Sequence, residues 1–244
     1  MITEPLLRLA VWSGPRNIST AMMRSWENRA DTCVVDEPLY AHYLEASGVD
    51  HPMADAVIAS QSTDWQSVTQ GLSREPKPGY RIYYQKHIST HLLEHMDLNW
   101  CESLCNCILI RNPDKMVASY AKKRDHPDAR DFGYEQLLQV YEHLLMKGQS
   151  PVIIDTDRFL QDPQNQLEKW CARLEIDFDS AMLNWPSGKR DSDGVWAPHW
   201  YDVVEKSTGF APYKPVAPEL DARQQAVADE CRQAYDTMLT SALE

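Results

Sequence analysis

Nowhere in the 244 residues does an apolar run approach the roughly 20 residues needed to cross a bilayer. The amino-terminal stretch MITEPLLRLAVW has no basic leader and no small-residue cleavage site, so a secretory signal is not expected. Positive charge is scarce: 24 Lys and Arg stand against 36 Asp and Glu, a formal net charge of −12. That balance argues against broad binding to nucleic acid or membrane surfaces. It also means that any site for an anionic ligand must gather its few cations into one cleft. Paired C-x-x-C spacing is missing as well. The six cysteines are scattered, and CESLCNC (Cys101, Cys105, Cys107) lacks the spacing of a zinc site. Cys105 and Cys107 open an apolar run, where thiols behave as small hydrophobes. Reduced structural thiols suit a reducing compartment, so a cytoplasmic location is expected. With no internal repeat, low-complexity tract or linker, a single domain over residues 1–244 is expected.

What the chain does have is alternation. Short β-branched or apolar runs, LLRLAVW, DTCVVD, YRIYYQK, CNCILIRN and PVIID, read as about five strands. Between them lie helix-forming runs. These are ISTAMMRSWENRA, EPLYAHYLEA, a segment between Met53 and Leu72, HISTHLLEHM, PDKMVASYAKKR, GYEQLLQVYEHLLMKG and DPQNQLEKWCARLEI. REPKPGY reads as a loop, and residues 184–216, rich in Pro, Gly and Trp, as a long functional loop; residues 219–243 read as a terminal helix. Apolar strands alternating with helices imply a central parallel sheet covered on both faces. In such sheets ligands bind beyond the carboxyl ends of the strands. The positions of interest are therefore Ser13 to Thr20, Asp36-Glu37, Lys86-His87, Arg111-Asn112 and Asp155 to Asp157.

The first of these, WSGPRNISTAM, joins a strand to a helix. A helix start offers unpaired N–H groups and partial positive charge to an anion; Arg16 would add fixed charge, and Ser19 and Thr20 hydroxyl donors. A nucleoside-triphosphate loop places glycine and lysine directly before its hydroxyl residue; here Ile18 and Ser19 occupy those places. The alternative is a plain turn capped by Asn17 or Ser19. PRNISTAM resembles instead the phosphosulfate-binding loop of the sulfotransferases, P-[KR]-S-G-[ST]-T, with Ile18 replacing the glycine. ILIRNPDKMVASYAKK resembles that family's R-[ND]-P-x-x-x-x-x-S segment, in which Arg111 and Ser119 would grip a 3′-phosphate. DTDRFLQDPQNQLEKW resembles the family's YEDL…DP segment, with Asp157 at its glutamate and Arg158 departing from its aspartate. GKRDSDGVW resembles a late donor-closing loop, in which Lys189 and Arg190 would supply cations and Gly194 the turn.

The resemblance implies a P-loop-containing nucleotide-binding fold and sulfuryl transfer from 3′-phosphoadenosine 5′-phosphosulfate to a small-molecule or peptide hydroxyl, leaving adenosine 3′,5′-bisphosphate. It implies that Arg16, Asn17, Ile18, Ser19 and Thr20 hold the 5′ end, that Arg111, Ser119, Lys189 and Arg190 hold the 3′-phosphate, and that no metal is required. For the base there are two candidates, Glu37 in VVDEPLY and His87 in YYQKHIST; Lys86 would steady the transferring group, and Arg16 the 5′-phosphate. His87, His91 and His95 recur every four residues and on a helix would share one face, a polar face rather than a metal site. Trp185, Trp196, Trp200 and Tyr201 would pack the late loop or wall a pocket. A kinase-like phosphotransferase and a non-catalytic nucleotide-binding module remain the alternatives.

Overall fold

A computed structural model describes residues 6–74, 79–122, 127–215 and 217–244. Part of the expected loop REPKPGY, the end of the expected helix at Lys123 and Arg124, and Val216 lie outside the described residues. Five strands form: β1 Leu7–Ser13, β2 Thr32–Asp36, β3 Ile82–Ile88, β4 Cys105–Ile110 and β5 Val152–Asp155. They make one sheet in the order β2-β3-β1-β4-β5, and every pairing is parallel. The near-continuous apolar strand sequences have a direct use here, because both faces of the sheet are covered.

One face carries Ala10, Trp12, Ile108 and Ile110 against helices α5 (Pro113–Tyr120), α6 (Tyr134–Met146) and α10 (Ala222–Leu239). The other carries Leu9, Val11, Cys107 and Leu109 against α1 (Ser19–Glu27) and α8 (Pro163–Arg173). Each fully buried Leu, Ile, Met or Phe side chain contributes roughly 1.5–3 kcal/mol of hydrophobic stabilisation, so the two layers fix the strand register on which the site depends. A smaller cluster joins α2 (Tyr40–Ser47) and α3 (Ala54–Ser60) to Trp196, Ala197 and Tyr201 of the late segment.

The expected helix between Met53 and Leu72 is two helices, α3 and α4 (Trp65–Leu72), the second started by the Asp64 side chain on the amides of Gln66 and Ser67. A short helix α7 (Thr156–Gln161) follows β5 directly, and α10 begins at Ala222 because Asp221 and Gln224 form a capping box there. The late segment contains a short helix, α9 (Ala197–Trp200).

One helix expected from sequence is absent. HISTHLLEHM begins inside β3, where His87 and Ile88 stand in register with Trp12 and Ser13 of β1, and then makes a single 3-10 turn over Ser89–His91. Pairing with a central strand overrides the local four-residue histidine spacing. His87, His91 and His95 therefore share no helix face. His95 meets His42 of α2, Nε2 to Nε2 at 2.9 Å.

Candidate functional site

β1 is the central strand, and its carboxyl end opens into the loop Gly14–Ile18. Gly14 is needed there, because a Cβ would run into the carbonyl oxygen of Phe132. Arg16 and Ile18 both adopt left-handed backbone, at φ 62° and 49°. Ile18 occupies the cap position of α1, with no side chain capping the helix and no acidic residue in its first turn. The alternative of a turn capped by Asn17 or Ser19 is not realised, and α1 has no side-chain cap. Asn17 is committed elsewhere: its amide donates to Leu109 O at 2.7 Å, and its carbonyl accepts from Thr156 Oγ1 at 2.8 Å. It ties the loop to β4 and to the start of α7. Ser19 is buried and Thr20 half-buried at the helix start.

Arg111 ends β4 and reaches back to this loop, donating from Nη1 to Arg16 O at 2.7 Å; the Tyr134 hydroxyl holds the Arg111 carbonyl from behind. Burial lowers the Arg111 pKa; Asp157 offsets part of this, and the nearby positive Arg16 adds to the lowering. Among the described residues neither arginine has a carboxylate within ion-pair distance, and Nε of each is buried without a partner. Two arginines without an ion-pair partner, beside an uncapped helix start, concentrate positive charge here, the kind of surroundings that favour an anion. Ser119 lies half-buried on α5, and Lys115 of the same helix pairs with Asp157 at 3.1 Å.

The late segment packs over the α1 side. Arg24 of α1, fully buried, pairs with Asp193 at 2.7 Å and with Glu27 at 3.4 Å. Arg190 donates to Pro186 O at 3.3 Å, and Lys189 is exposed. Trp185, Trp196 and Tyr201 are buried in packing.

A second constellation lies at the carboxyl ends of β2 and β3. Lys86 Nζ donates to Asp36 Oδ1 at 2.8 Å, Glu37 Oε1 at 2.6 Å and Tyr201 OH at 2.7 Å. An ammonium has three protons, so Lys86 is fully used. Tyr201 OH donates in turn to Asp36 Oδ2 at 2.6 Å and accepts from Trp196 Nε1 at 3.1 Å. The amide of Gly194 also reaches Asp36 Oδ2, at 3.3 Å. Burial works against the Lys86 charge, but Asp36 and Glu37 outweigh it and hold its pKa well above the ordinary lysine value. Two carboxylates share this one cation, Glu37 at the shorter distance, while Asp36 also accepts from Tyr201 OH and the Gly194 amide. Burial raises the Glu37 pKa, Lys86 opposes the rise and Asp36 adds to it, and the net shift is upward. Glu37 has φ 43° directly before Pro38, where left-handed backbone is doubly disfavoured. Its backbone N–H, donating to Lys86 O at 3.0 Å, helps hold it there. Among the described residues Glu37 Oε2 accepts no hydrogen bond of its own, and His91 Nε2 lies 3.9 Å from it.

His87 is elsewhere. Successive residues of a strand face opposite sides, and His87 stacks on Trp12 at 4.3 Å and lies 5.6 Å from Trp100. Burial lowers its pKa to about 3, so it is a neutral core imidazole. The strand-end positions include Asp36, Glu37 and Lys86, but nothing in the sequence joins Tyr201 or His91 to them. The adjacent acids of VVDEP were the available signal for Asp36; no local pattern links Tyr201 to residues 115 positions earlier. Among the described residues no group of three or more His, Cys, Asp or Glu side chains is arranged around a metal position, and no helix is long and apolar enough to cross a membrane.

This parallel sheet with its uncapped strand-to-helix loop is the architecture of the P-loop sulfotransferase class. The chain belongs to the sulfotransferase domain family, whose profile matches residues 7–242. It is 35% identical over 229 residues to branched-chain-amino-acid aminotransferase-like protein 2 of Arabidopsis thaliana, a match covering 93% of this chain and 40% of that protein. The chain thus spans about two fifths of the length of the curated relatives it matches. In fold it is similar to a sulfotransferase from Alicyclobacillus acidocaldarius, with a TM-score of 0.53, 9% identity, and 99% of this chain and 98% of that one covered. It is also similar to the sulfotransferase domain of the curacin biosynthetic pathway, with a TM-score of 0.51, 14% identity, and coverage of 93% and 98%.

Proposed function

We propose that this chain is a sulfotransferase that moves a sulfuryl group from 3′-phosphoadenosine 5′-phosphosulfate to a hydroxyl acceptor, with Glu37 as the base. The observation that carries the reading is the pairing of two unlike sites at one end of one sheet. One is an anion grip with unpartnered donors, the other a buried carboxylate with one free oxygen. The donor supplies a sulfuryl group already activated on phosphate. Arg16, the amides at the start of α1, Ser19 and Thr20 would hold its 5′ end. Arg111, with Ser119, would hold the 3′-phosphate. The residues present fit a doubly phosphorylated ligand, because the guanidinium Nε atoms of Arg16 and Arg111 are buried with nothing else to bind.

Sulfuryl transfer demands in-line placement and stabilisation of developing charge on the leaving phosphate. The acceptor oxygen forms its bond to sulfur while the bond from sulfur to the bridging phosphate oxygen breaks, leaving that electron pair on phosphate. The acceptor proton passes to Glu37 Oε2. Glu37 suits this role because its raised pKa makes it a stronger base than an exposed glutamate. Lys86 keeps Glu37 Oε1 occupied and leaves Oε2 facing His91 Nε2. The expectation for His87 as base gives way to Glu37, since an imidazole wedged against Trp12 with a pKa near 3 is poorly suited to take a proton. Lys189 and Arg190 of the late segment would add their cations to the 3′-phosphate grip.

The test is transfer of radiolabelled sulfate from the donor to a panel of small alcohols, phenols, carbohydrates and tyrosyl peptides. Labelled product from at least one acceptor, lost in Glu37→Gln, is the expected result. No transfer to any acceptor or to water by protein that binds the bisphosphate would favour a non-catalytic module.

A further inference from the structure

His91 lies on the single 3-10 turn after β3, buried at 4% exposure. Tyr40 and Tyr43, one turn apart on α2, both stack on its ring, at centroid distances of 4.5 and 5.0 Å. The imidazole is thus rigidly oriented, as a group that positions a substrate needs to be. Its Nε2 faces Glu37 Oε2 at 3.9 Å, and its Nδ1 is buried without a partner. The proton belongs on Nε2. There it faces a carboxylate, whereas on Nδ1 it would be a buried orphan donor, the rarer and costlier defect. Burial first, and then the positive charge of Lys86 with smaller contributions from His51 and His87, holds the ring neutral, far below the ordinary histidine pKa.

A separation of 3.9 Å is too long for a direct hydrogen bond. It suits one intervening oxygen, about 2.7–2.9 Å from each atom. A hydroxyl in that place would donate its proton to Glu37 Oε2 and accept from His91 Nε2. One more buried polar atom without a partner, Ser13 Oγ, occurs at the carboxyl end of the adjoining β1. Unsatisfied polar atoms are rare in native interiors and call for a missing partner.

Building on the sulfotransferase reading, we infer that His91 is a further catalytic residue: its Nε2–H and Glu37 Oε2 together form the subsite that receives the acceptor hydroxyl. The histidine orients the oxygen and stabilises the negative charge that develops as Glu37 removes the proton. It takes no proton itself.

The geometry makes the two ring nitrogens unequal, and that is testable. Glutamine extends an amide donor toward the Nε2 position, whereas asparagine reaches only as far as Nδ1. The experiment measures sulfuryl transfer from the labelled donor to water, and to methanol or phenol as simple hydroxyl probes, in His91→Phe, His91→Asn and His91→Gln. Bisphosphate affinity by calorimetry and the melting temperature are measured in parallel. His91→Phe and His91→Asn are expected to lose on the order of 10²-fold in turnover with bisphosphate affinity within about twofold of the parent. His91→Gln is expected to recover a substantial part of that loss. Parental turnover in folded His91→Phe, or better recovery by asparagine than by glutamine, would overturn the assignment. Wild-type protein that neither binds the bisphosphate nor transfers sulfate would instead refute the sulfotransferase reading itself, and this inference with it. If His91→Phe does not fold, the glutamine-against-asparagine contrast still decides.

Discussion

The two halves of the site are built on opposite plans. At β2 and β3 every donor of Lys86 is engaged, by Asp36, Glu37 and Tyr201, and Tyr201 is itself fully bonded. At β1 and β4 the reverse holds: Arg16 and Arg111 lie close together with buried, unpartnered Nε atoms beside a helix start that no side chain caps. The first half is a closed network that leaves one carboxylate oxygen, Glu37 Oε2, facing His91. The second is an open cluster of like charges that, on the proposed reading, a bound anion would neutralise. A closed network signals preorganised chemistry, and an open one signals a ligand.

The contrast can be broken at several points. The largest expected effect is on chemistry. Glu37→Gln should lower sulfuryl transfer by roughly 10²–10⁴-fold while leaving bisphosphate affinity nearly unchanged, because a glutamine cannot take the proton. Near-parental transfer would remove Glu37 from its role.

The next effect is on stability. Lys86→Met leaves two buried carboxylates without their cation, and breaking a buried pair costs about 3–5 kcal/mol. For a domain of this size that lowers the melting temperature by on the order of 10 °C, as thermal denaturation would register. A Tm unchanged within a degree or two would mean that the network is not closed.

Arg111→Ala attacks the open half. Losing charge-assisted bonds worth about 1.5–3 kcal/mol each weakens bisphosphate binding by roughly 10–100-fold. Stability should change far less than in Lys86→Met, since among the described residues the Arg111 side chain gives the protein a single hydrogen bond, to Arg16 O.

The two halves also differ in their response to pH. Glu37 has a folded-state pKa raised above its unfolded value by burial, against the pull of Lys86. Its favourable contribution is therefore complete below the ordinary glutamate pKa of 4.5 and is lost as pH rises through the raised value. Transfer activity should climb over that same interval, as the base ionises. A kcat/KM profile and a melting series on the parent and on Glu37→Gln check both; only the parent should show the paired, opposite trends.

The smallest effect concerns Ile18. A β-branched residue at φ 49° carries backbone strain of order 1–3 kcal/mol. Ile18→Gly relieves that strain and gives up half-buried apolar contact, so a net change under about 1 kcal/mol is expected by chemical denaturation. A loss above 2 kcal/mol would mean that packing, not conformation, governs the position.

Much of the open half was legible in the sequence. Its parts are contiguous: a strand, a loop with Arg16, a helix, and later Arg111 at the end of an apolar strand. The parallel sheet followed from the alternation of apolar strands and helices for the same reason. The closed half was legible only in pieces. Glu37 and Lys86 stand at strand ends and could be marked, but Tyr201 joins them by folding back across a long segment. His91 was hidden by its own spacing. Residues four apart suggested a helix, and the pull of β1 on His87 and Ile88 made a strand and a turn instead. Local periodicity encodes elements well; it does not encode which strand end a distant tyrosine will meet.

The most direct measurement is a calorimetric titration of the protein with adenosine 3′,5′-bisphosphate, and separately with ATP and magnesium. The account predicts saturable one-to-one binding of the bisphosphate that weakens in Arg16→Ala and Arg111→Ala, with ATP markedly weaker. Preferential binding of ATP with magnesium, or no response of the bisphosphate affinity to either arginine, would contradict it.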